Sequence, residues 1–441
     1  MAQPLTILFM PESAYGPTNN CVGIGDVLRG RGHRVVFAAE ASWRGRLEPL
    51  GFVEDLVDLA PPPAADPQGT EIAQDAGQFW KDFIRDTAPE FRKPTIEQLA
   101  TFMVPTWQAL IDGAKFCEPQ LREIIARNRP DVIVEDNVVS FPALQTAGAP
   151  FVRIVSCNPL EIRGEHGAEI PPPYSGLALD DRRDWQAFRE EYDRTHRPTW
   201  EDFDAWCRAQ GTGSLPELEF IHASRELNLY VYPDIADYTD RRPLDATWRR
   251  VDSSVRATDG AFALPPELDD RPTGSGLVYL SLGSLGSADV ALMRRLVSVL
   301  GDTPHRYIVS KGPQHAEYDL APNMWGAEFL PQTKIIPLVD LVITHGGNNT
   351  TTEAFHFGKP MVVLPLFWDQ YDNAQRVDET GFGVRLPTYA FAAEDLRGAI
   401  DRLLGDADLR GRMARTGAEI RARNGVAKAA DAIEGVGLAE R

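Results

Sequence analysis

The chain has 441 residues, 43% of them hydrophobic and 25% charged, and carries a formal net charge of −19 at pH 7. That length exceeds one ordinary core and suits two domains of roughly 200 residues facing a cleft. The acidic balance argues against a nucleic-acid partner and against docking on an anionic membrane, since both need clustered Lys and Arg; no run of ~18 apolar residues reads as a spanning helix.

The apolar run at 5–10 ends at Pro11 and lacks a basic leader region, so it reads as a first buried strand and not as a signal peptide. Short apolar segments at 6–10, 34–38, 131–134, 151–156 and 227–231 alternate with helical periodicity, the pattern of repeated βα units around a parallel sheet. Residues 78–116 interrupt it with Phe79, Trp80, Phe83, Phe91, Phe102, Trp107 and Phe116. Such a set reads as helix core, or as the wall of a pocket for an apolar small molecule. Residues 161–213 are Pro-rich and charged, include His166 and His196, and read as a lid or surface loop. The cysteines Cys21, Cys117, Cys157 and Cys207 form no CxxC pair. Neither a zinc knuckle nor a disulfide framework is indicated, and a reducing, cytoplasmic setting fits.

Residues 258–275 (TDGAFALPPELDDRPTGS) are rich in Pro, Gly and Asp and precede a fresh strand at 277–282 with the turn Gly283-Ser284-Leu285-Gly286. A first domain over 1–250, a linker over 251–275, a second domain over 276–425 and a closing helix over 426–441 follow. The second domain repeats the alternation, with strands at 305–309, 341–344 and 361–364.

The strongest signal runs from Thr344 to Ala374: THGGNNTTTEAFHFGKPMVVLPLFWDQYDNA. A buried strand enters a Gly-Gly turn and then a helix whose first turn holds Asn348, Asn349, Thr350 and Thr351. Free N–H groups and the positive end of the helix dipole make such a start an anion site. Gly346 and Gly347 allow a pyrophosphate close to the backbone, and His345 has a further hydrogen bond to offer. Glu353, one turn further in, would be repelled by phosphate unless it accepts protons from a ribose diol. Asp369 and Gln370 return an acid and an amide to the same sheet edge, where they suit hexose hydroxyls. Singly, each of these residues reads as a helix cap or a solvated acid; thirty consecutive positions of them do not.

This block resembles the donor signature of the family 1 glycosyltransferases, the UDP-glycosyltransferases of GT-B fold, with its H-x-G-x-x-S/T-x-x-E opening and D-Q-x-x-N-A close; the likeness is to the bacterial natural-product and macrolide type. The resemblance implies an α/β fold of two doubly wound Rossmann-like domains facing a cleft, acceptor in the first and donor in the second. It implies that His345 and the backbone of Gly347 to Thr350 (with Asn348 and Asn349) hold phosphates, Glu353 the ribose, and Asp369 with Gln370 the sugar. Phe329-Leu330-Pro331-Gln332 is similar to the family's W-x-P-Q, with Phe329 in place of the base-stacking Trp, and VYLSLGS resembles V-Y-V-S-F-G-S, placing Ser284 near the phosphates. The closing helix is expected to pack back on the first domain.

Gly16-Pro17-Thr18-Asn19-Asn20, followed by Arg31-Gly32-His33-Arg34-Val35, stands where the family reads G-H-V-N-P and then R-G-H-R-V. Pro17 thus occupies the position of the family's catalytic His. The Asp that would orient that His has its counterpart in Asp136. Asp136 itself, Glu12 or Tyr15 are the alternatives for a base, and Tyr15, Pro17, Phe79, Trp80, Trp107 and Trp368 are expected to meet the acceptor. No His cluster has metal-ligand spacing, and the D-x-D triplets at 202–204 and 406–408 lie in polar helical stretches. The expected reaction is inverting transfer, with no metal and no cofactor beyond the UDP-sugar, to a phenol, amine, thiol or hydroxyl of a small apolar acceptor, by a monomer or homodimer. A catalytically silent nucleotide-sugar-binding protein of the same fold, or a nucleotide-sugar epimerase, is the alternative.

Overall fold

Strands form where short apolar runs lie between turn residues, and a computed structural model describing residues 4–61, 86–164 and 166–439 arranges them in two sheets. The first holds β1 (Thr6–Pro11), β2 (Arg34–Phe37), β3 (Val53–Glu54), β4 (Val132–Asp136), β5 (Phe151–Val155), β6 (Leu227–Val231) and β7 (Trp248–Val251). The second holds β8 (Leu277–Ser281), β9 (Arg306–Ser310), β10 (Met324–Ala327), β11 (Leu341–Thr344), β12 (Met361–Val363) and β13 (Gly383–Arg385). Their orders are β3-β2-β1-β4-β5-β6-β7 and β10-β9-β8-β11-β12-β13, with all pairings parallel. Each is a doubly wound sheet whose order reverses once, between β1 and β4 and between β8 and β11. Ligands bind outside the carboxyl ends of strands at such reversals.

The four strands absent from the sequence reading, β3, β7, β10 and β13, are the outermost of the two sheets. VE, WRRV and GVR are too short or too polar to read as apolar runs, and MWGA is only four residues long and interrupted by Gly326. An edge strand is held by one neighbour and its composition is correspondingly free.

Six helices position the site: α1 (Tyr15–Gly30), α2 (Val104–Asn128), α3 (Trp185–Ala209), α4 (Asn348–Phe357), α5 (Gln370–Glu379) and α6 (Gly425–Ala439). The period-2 alternation of β1 sends Ile7 and Phe9 to the face covered by α1 and α6, and Leu8 and Met10 to the face covered by α2. Phe91, Phe102 and Trp107 are buried in the latter core, whereas Phe116 is exposed; Phe79, Trp80 and Phe83 lie outside the described residues. Of the stretch 161–213 read as a lid or surface loop, Trp185–Ala209 is instead α3, a 25-residue helix that buries Phe188, Tyr192, Phe203 and Cys207. Their i, i+4 spacing forms an apolar stripe that the surrounding charges obscure in sequence.

The last helix lies on the first sheet, with Ala429, Ala430 and Ile433 buried beside Leu5 and Val22, and Arg31 pairs with Asp431 at 2.5 Å and Glu434 at 2.7 Å. A Cβ on Gly437 would stand 2.5 Å from Val132 Cγ2 and 2.9 Å from Leu5 Cδ1. Gly437→Val should therefore destabilise the protein by about 1–3 kcal/mol through overpacking, read as a lowered Tm; an unchanged Tm would refute the close seating of this helix. No helix among the described residues is long and apolar enough to cross a membrane.

Candidate active site

The second-domain side of the crevice is built from the turns after β8 and β11. Gly346 holds φ +87°, and a Cβ there would lie 2.9 Å from the Gln370 backbone oxygen, so glycine is required both for the turn and for the approach of α5. Gly347 caps α4 without a side-chain bond to its first N–H groups, which leaves them aimed at the crevice. The His345 ring is sandwiched between Gly283 and Gly347; added Cβ atoms would approach it to 2.8 and 2.5 Å. Burial lowers its pKa to about 4, against the opposing pull of the Ser281 backbone, so the ring is neutral at pH 7 and its N–H is a donor without a charge. Ser284 lies in the short turn Gly283–Gly286 directly after β8.

Behind the α4 N-terminus lies a buried polar cluster. Gln332 donates from Nε2 to Glu353 Oε2 at 2.6 Å and Thr350 Oγ1 at 3.1 Å, and accepts from Tyr279 at 3.2 Å. Arg256 reaches Glu353 Oε1 at 3.4 Å and is itself held by Asp259 at 2.7 Å. Burial raises the Glu353 pKa, and Arg256 and Gln332 oppose that rise. Phe329, 53% exposed, sits 6.0 Å from the Tyr15 ring across the crevice, leaving an aromatic face open for a flat ring to stack on.

The two domains meet over the remaining signature residues. Asp369 Oδ2 accepts from the Asn158 backbone N–H at 2.8 Å and from Asn373 at 3.3 Å, while Asn158 Nδ2 donates to Asn373 Oδ1 at 2.9 Å. Burial pushes the Asp369 pKa up to about 6. Gln370 Oε1 accepts from the Leu366 and Phe367 backbone N–H groups, so its carbonyl shapes the preceding loop. Asn348 turns toward the first domain and donates to Val231 O at 2.9 Å. Asn349 donates to Gly16 O at 3.1 Å and accepts from Asn20 at 2.7 Å. Of the expected phosphate group, then, His345 and the backbone at Gly347 face the crevice while the two Asn side chains tie the domains together.

On the first-domain side, Pro17 lies in the opening turn of α1. Asp136 ends β4, level with Pro11 of β1. Its Oδ2 accepts from Ser156 Oγ at 2.6 Å and lies 3.8 Å from Cys21 Sγ. Burial pushes its pKa up to about 7, with Ser156 opposing and Glu12 reinforcing the rise. Ser156 in turn accepts from Asn20, which also binds Asn349, so a chain of hydrogen bonds runs from Asp136 to α4. Glu12 folds its carboxylate onto Ser13 and Ala14, and Tyr15 receives Arg46 on its hydroxyl. Trp107 and Trp368 share an aromatic cluster, with ring centroids 4.7 Å apart and Tyr174 5.2 Å from Trp368. Phe91 and Phe102 meet Phe367 of the second domain at 5.0 and 5.5 Å.

Arg256, Asn158, Asn20 and Ser156 were not read from sequence. Asn158 and Ser156 follow β5 at the carboxyl edge, a position that marks them in the sequence; Arg256, in a linker with no motif, carries no such mark.

Residues 267–415 match the family of UDP-glucoronosyl and UDP-glucosyl transferases. Together with two Rossmann-like domains facing a crevice, that match defines the class: the chain is a glycosyltransferase of GT-B fold whose second domain is a UDP-glycosyltransferase domain. Over nearly its whole length it is similar to the demethyllactenocin mycarosyltransferase of Streptomyces fradiae, at 27% identity over 98% of this chain and 86% of that protein. Among solved structures, the glycotransferase of kitacinnamycin superposes with a TM-score of 0.66 at 22% identity, covering 99% of this chain and 100% of the other. The spinosyn rhamnosyltransferase SpnG, complexed with thymidine diphosphate, superposes at 0.60 with 20% identity over 95% and 96%.

Proposed function

We propose that the protein transfers a hexose from a UDP-sugar, held by the second domain, to a small and largely apolar acceptor of natural-product type, with inversion and without a metal ion. The observation that carries this reading is the buried Glu353–Gln332–Arg256 cluster one helical turn behind the uncapped start of α4. A diphosphate against that start puts its ribose diol at the Glu353 carboxylate, its base on Phe329 and its sugar toward Asp369. Departing negative charge on the diphosphate is met by backbone N–H groups, the helix dipole and the neutral His345 ring. The acceptor nucleophile, coming from the first domain, attacks in line and inverts the anomeric carbon.

An apolar acceptor is supported by the half-buried Trp368 ring and by a cavity of about 410 Å³ between the domains, lined by Phe91, Leu285, Leu366 and Tyr389 among others, whereas Trp107, expected to meet the acceptor, is buried in the core against Phe220. The free cysteines fit a reducing, cytoplasmic setting. Incubation with UDP-glucose and a panel of phenols, amines, thiols and macrolides, read by mass spectrometry, tests the reading; UDP-glucose binding with no transfer to any acceptor would favour a silent binding protein. The thymidine diphosphate in the spinosyn rhamnosyltransferase favours a second donor. Calorimetry with UDP and dTDP separates the two, and tighter binding of UDP is expected because Glu353 gains a full diol only from a ribose.

Pro17 adds a third test. Placing an imidazole near Asp136 by Pro17→His should raise transfer to hydroxyl acceptors more than to amines or thiols, by up to about 10²-fold. Equal rates across the three would put this position away from the chemistry.

A further inference from the structure

With Pro17 at the family's base position, a proton acceptor for the incoming hydroxyl has to come from elsewhere on the first-domain edge. Asp136 is 2% exposed and its Oδ2 is engaged by Ser156 and Cys21. Glu12 is folded onto its own loop. A third carboxylate, which the motif pattern does not touch, stands one strand over. Glu161 closes the turn Pro159–Glu161 directly after β5 and is half-buried.

Two contacts place its loop at the reacting end of the crevice. Its Oε1 accepts from Trp368 Nε1 at 3.2 Å. Trp368 precedes Asp369 and holds φ +57°, a left-handed conformation that is strained for a bulky residue and persists only where its surroundings impose it. The loop that carries Glu161 also supplies the Asn158 N–H bound to Asp369. A hexose held by Asp369 therefore has this loop as its first-domain neighbour, and the half-buried Trp368 ring beside the carboxylate offers an apolar surface to the acceptor.

We propose that Glu161 is the general base of the transfer reaction. Its carboxylate takes the acceptor hydroxyl proton as the acceptor oxygen bonds to the anomeric carbon; the bond from that carbon to the diphosphate oxygen breaks, and its electron pair leaves with UDP. The proposal rests on the sugar-transfer reading above. The titratable groups facing Glu161 are Asp369 and Asp372 of the second domain, Arg153 of β5, Cys157 of its own loop, and Tyr174 and Tyr192 around the aromatic cluster. Burial, reinforced by Asp369, pushes its carboxyl up to about 8. A base must be deprotonated to act, so the rate should rise with pH and level off above that value.

The test compares the full-length wild type with Glu161→Gln, Glu161→Asp and Asp136→Asn on two acceptors that the wild type glycosylates, an aliphatic alcohol and an acidic nitrophenol. Glu161→Gln should bind UDP as the wild type does by calorimetry and lose 10²- to 10⁴-fold in kcat on the alcohol. It should lose less than about tenfold on the nitrophenol, which ionises unaided, and its alkaline-rising limb should vanish, while Glu161→Asp recovers part of the rate. Alcohol transfer within a few-fold of wild type, equal losses on both acceptors, or a retained limb would overturn the proposal. A wild type that binds neither UDP nor dTDP overturns the sugar-transfer reading first, and the base assignment with it.

Discussion

Glu353→Ala is expected to weaken UDP binding by about 100-fold while leaving the fold intact. Hydrogen bonds to a charged group contribute about 1.5–3 kcal/mol each, and a ribose diol makes two to one carboxylate, so a loss of about 3 kcal/mol, roughly two powers of ten, follows at the lower end of that range. The local structure should survive the change. Arg256 keeps Asp259 at 2.7 Å, and Gln332 keeps Thr350 and Tyr279. Calorimetry reads the affinity and thermal unfolding reads the fold. Unchanged affinity would remove the ribose from Glu353 and, with it, the reason for preferring UDP to dTDP.

His345→Ala should lower kcat by about 10²- to 10³-fold, the usual cost of removing one preorganised donor from developing negative charge. UDP affinity should fall less, because the backbone N–H groups of α4 remain. The ring is held between Gly283 and Gly347 and its pKa lies near 4 because it is buried. It therefore stays neutral from pH 5 upward, and no activity limb between pH 6 and 7 should disappear in the variant. A ring that titrates near 6.5 by NMR in the free enzyme would contradict the packing described for it.

The chemistry of the second domain was legible because its residues are close in sequence. A strand, a glycine turn and a helix start occupy 341–357, and local geometry alone brings the uncapped helix backbone, His345 and Glu353 to one edge. The resemblance of Phe329-Leu330-Pro331-Gln332 to W-x-P-Q also singled out Gln332, and the structure puts it 2.6 Å from Glu353. The partner that completes the cluster, Arg256, arrives from a linker ninety-odd residues away, and no local pattern encodes its direction.

Sequence likewise determined the nine inner strands, since a strand flanked on both sides must be apolar along its length, and it placed Asp136 at the end of one of them. It left the four edge strands unread, for the same reason reversed. Which side chains face substrate was decided by how the two domains close on each other. Asn348 and Asn349, in the first turn of α4, turn to the first domain; Asn158 reaches Asp369, and Trp368 reaches Glu161, across more than two hundred residues of chain. Hydrogen bonds of that kind join groups whose separation along the chain carries no period, so only the folded pairing of the domains specifies them.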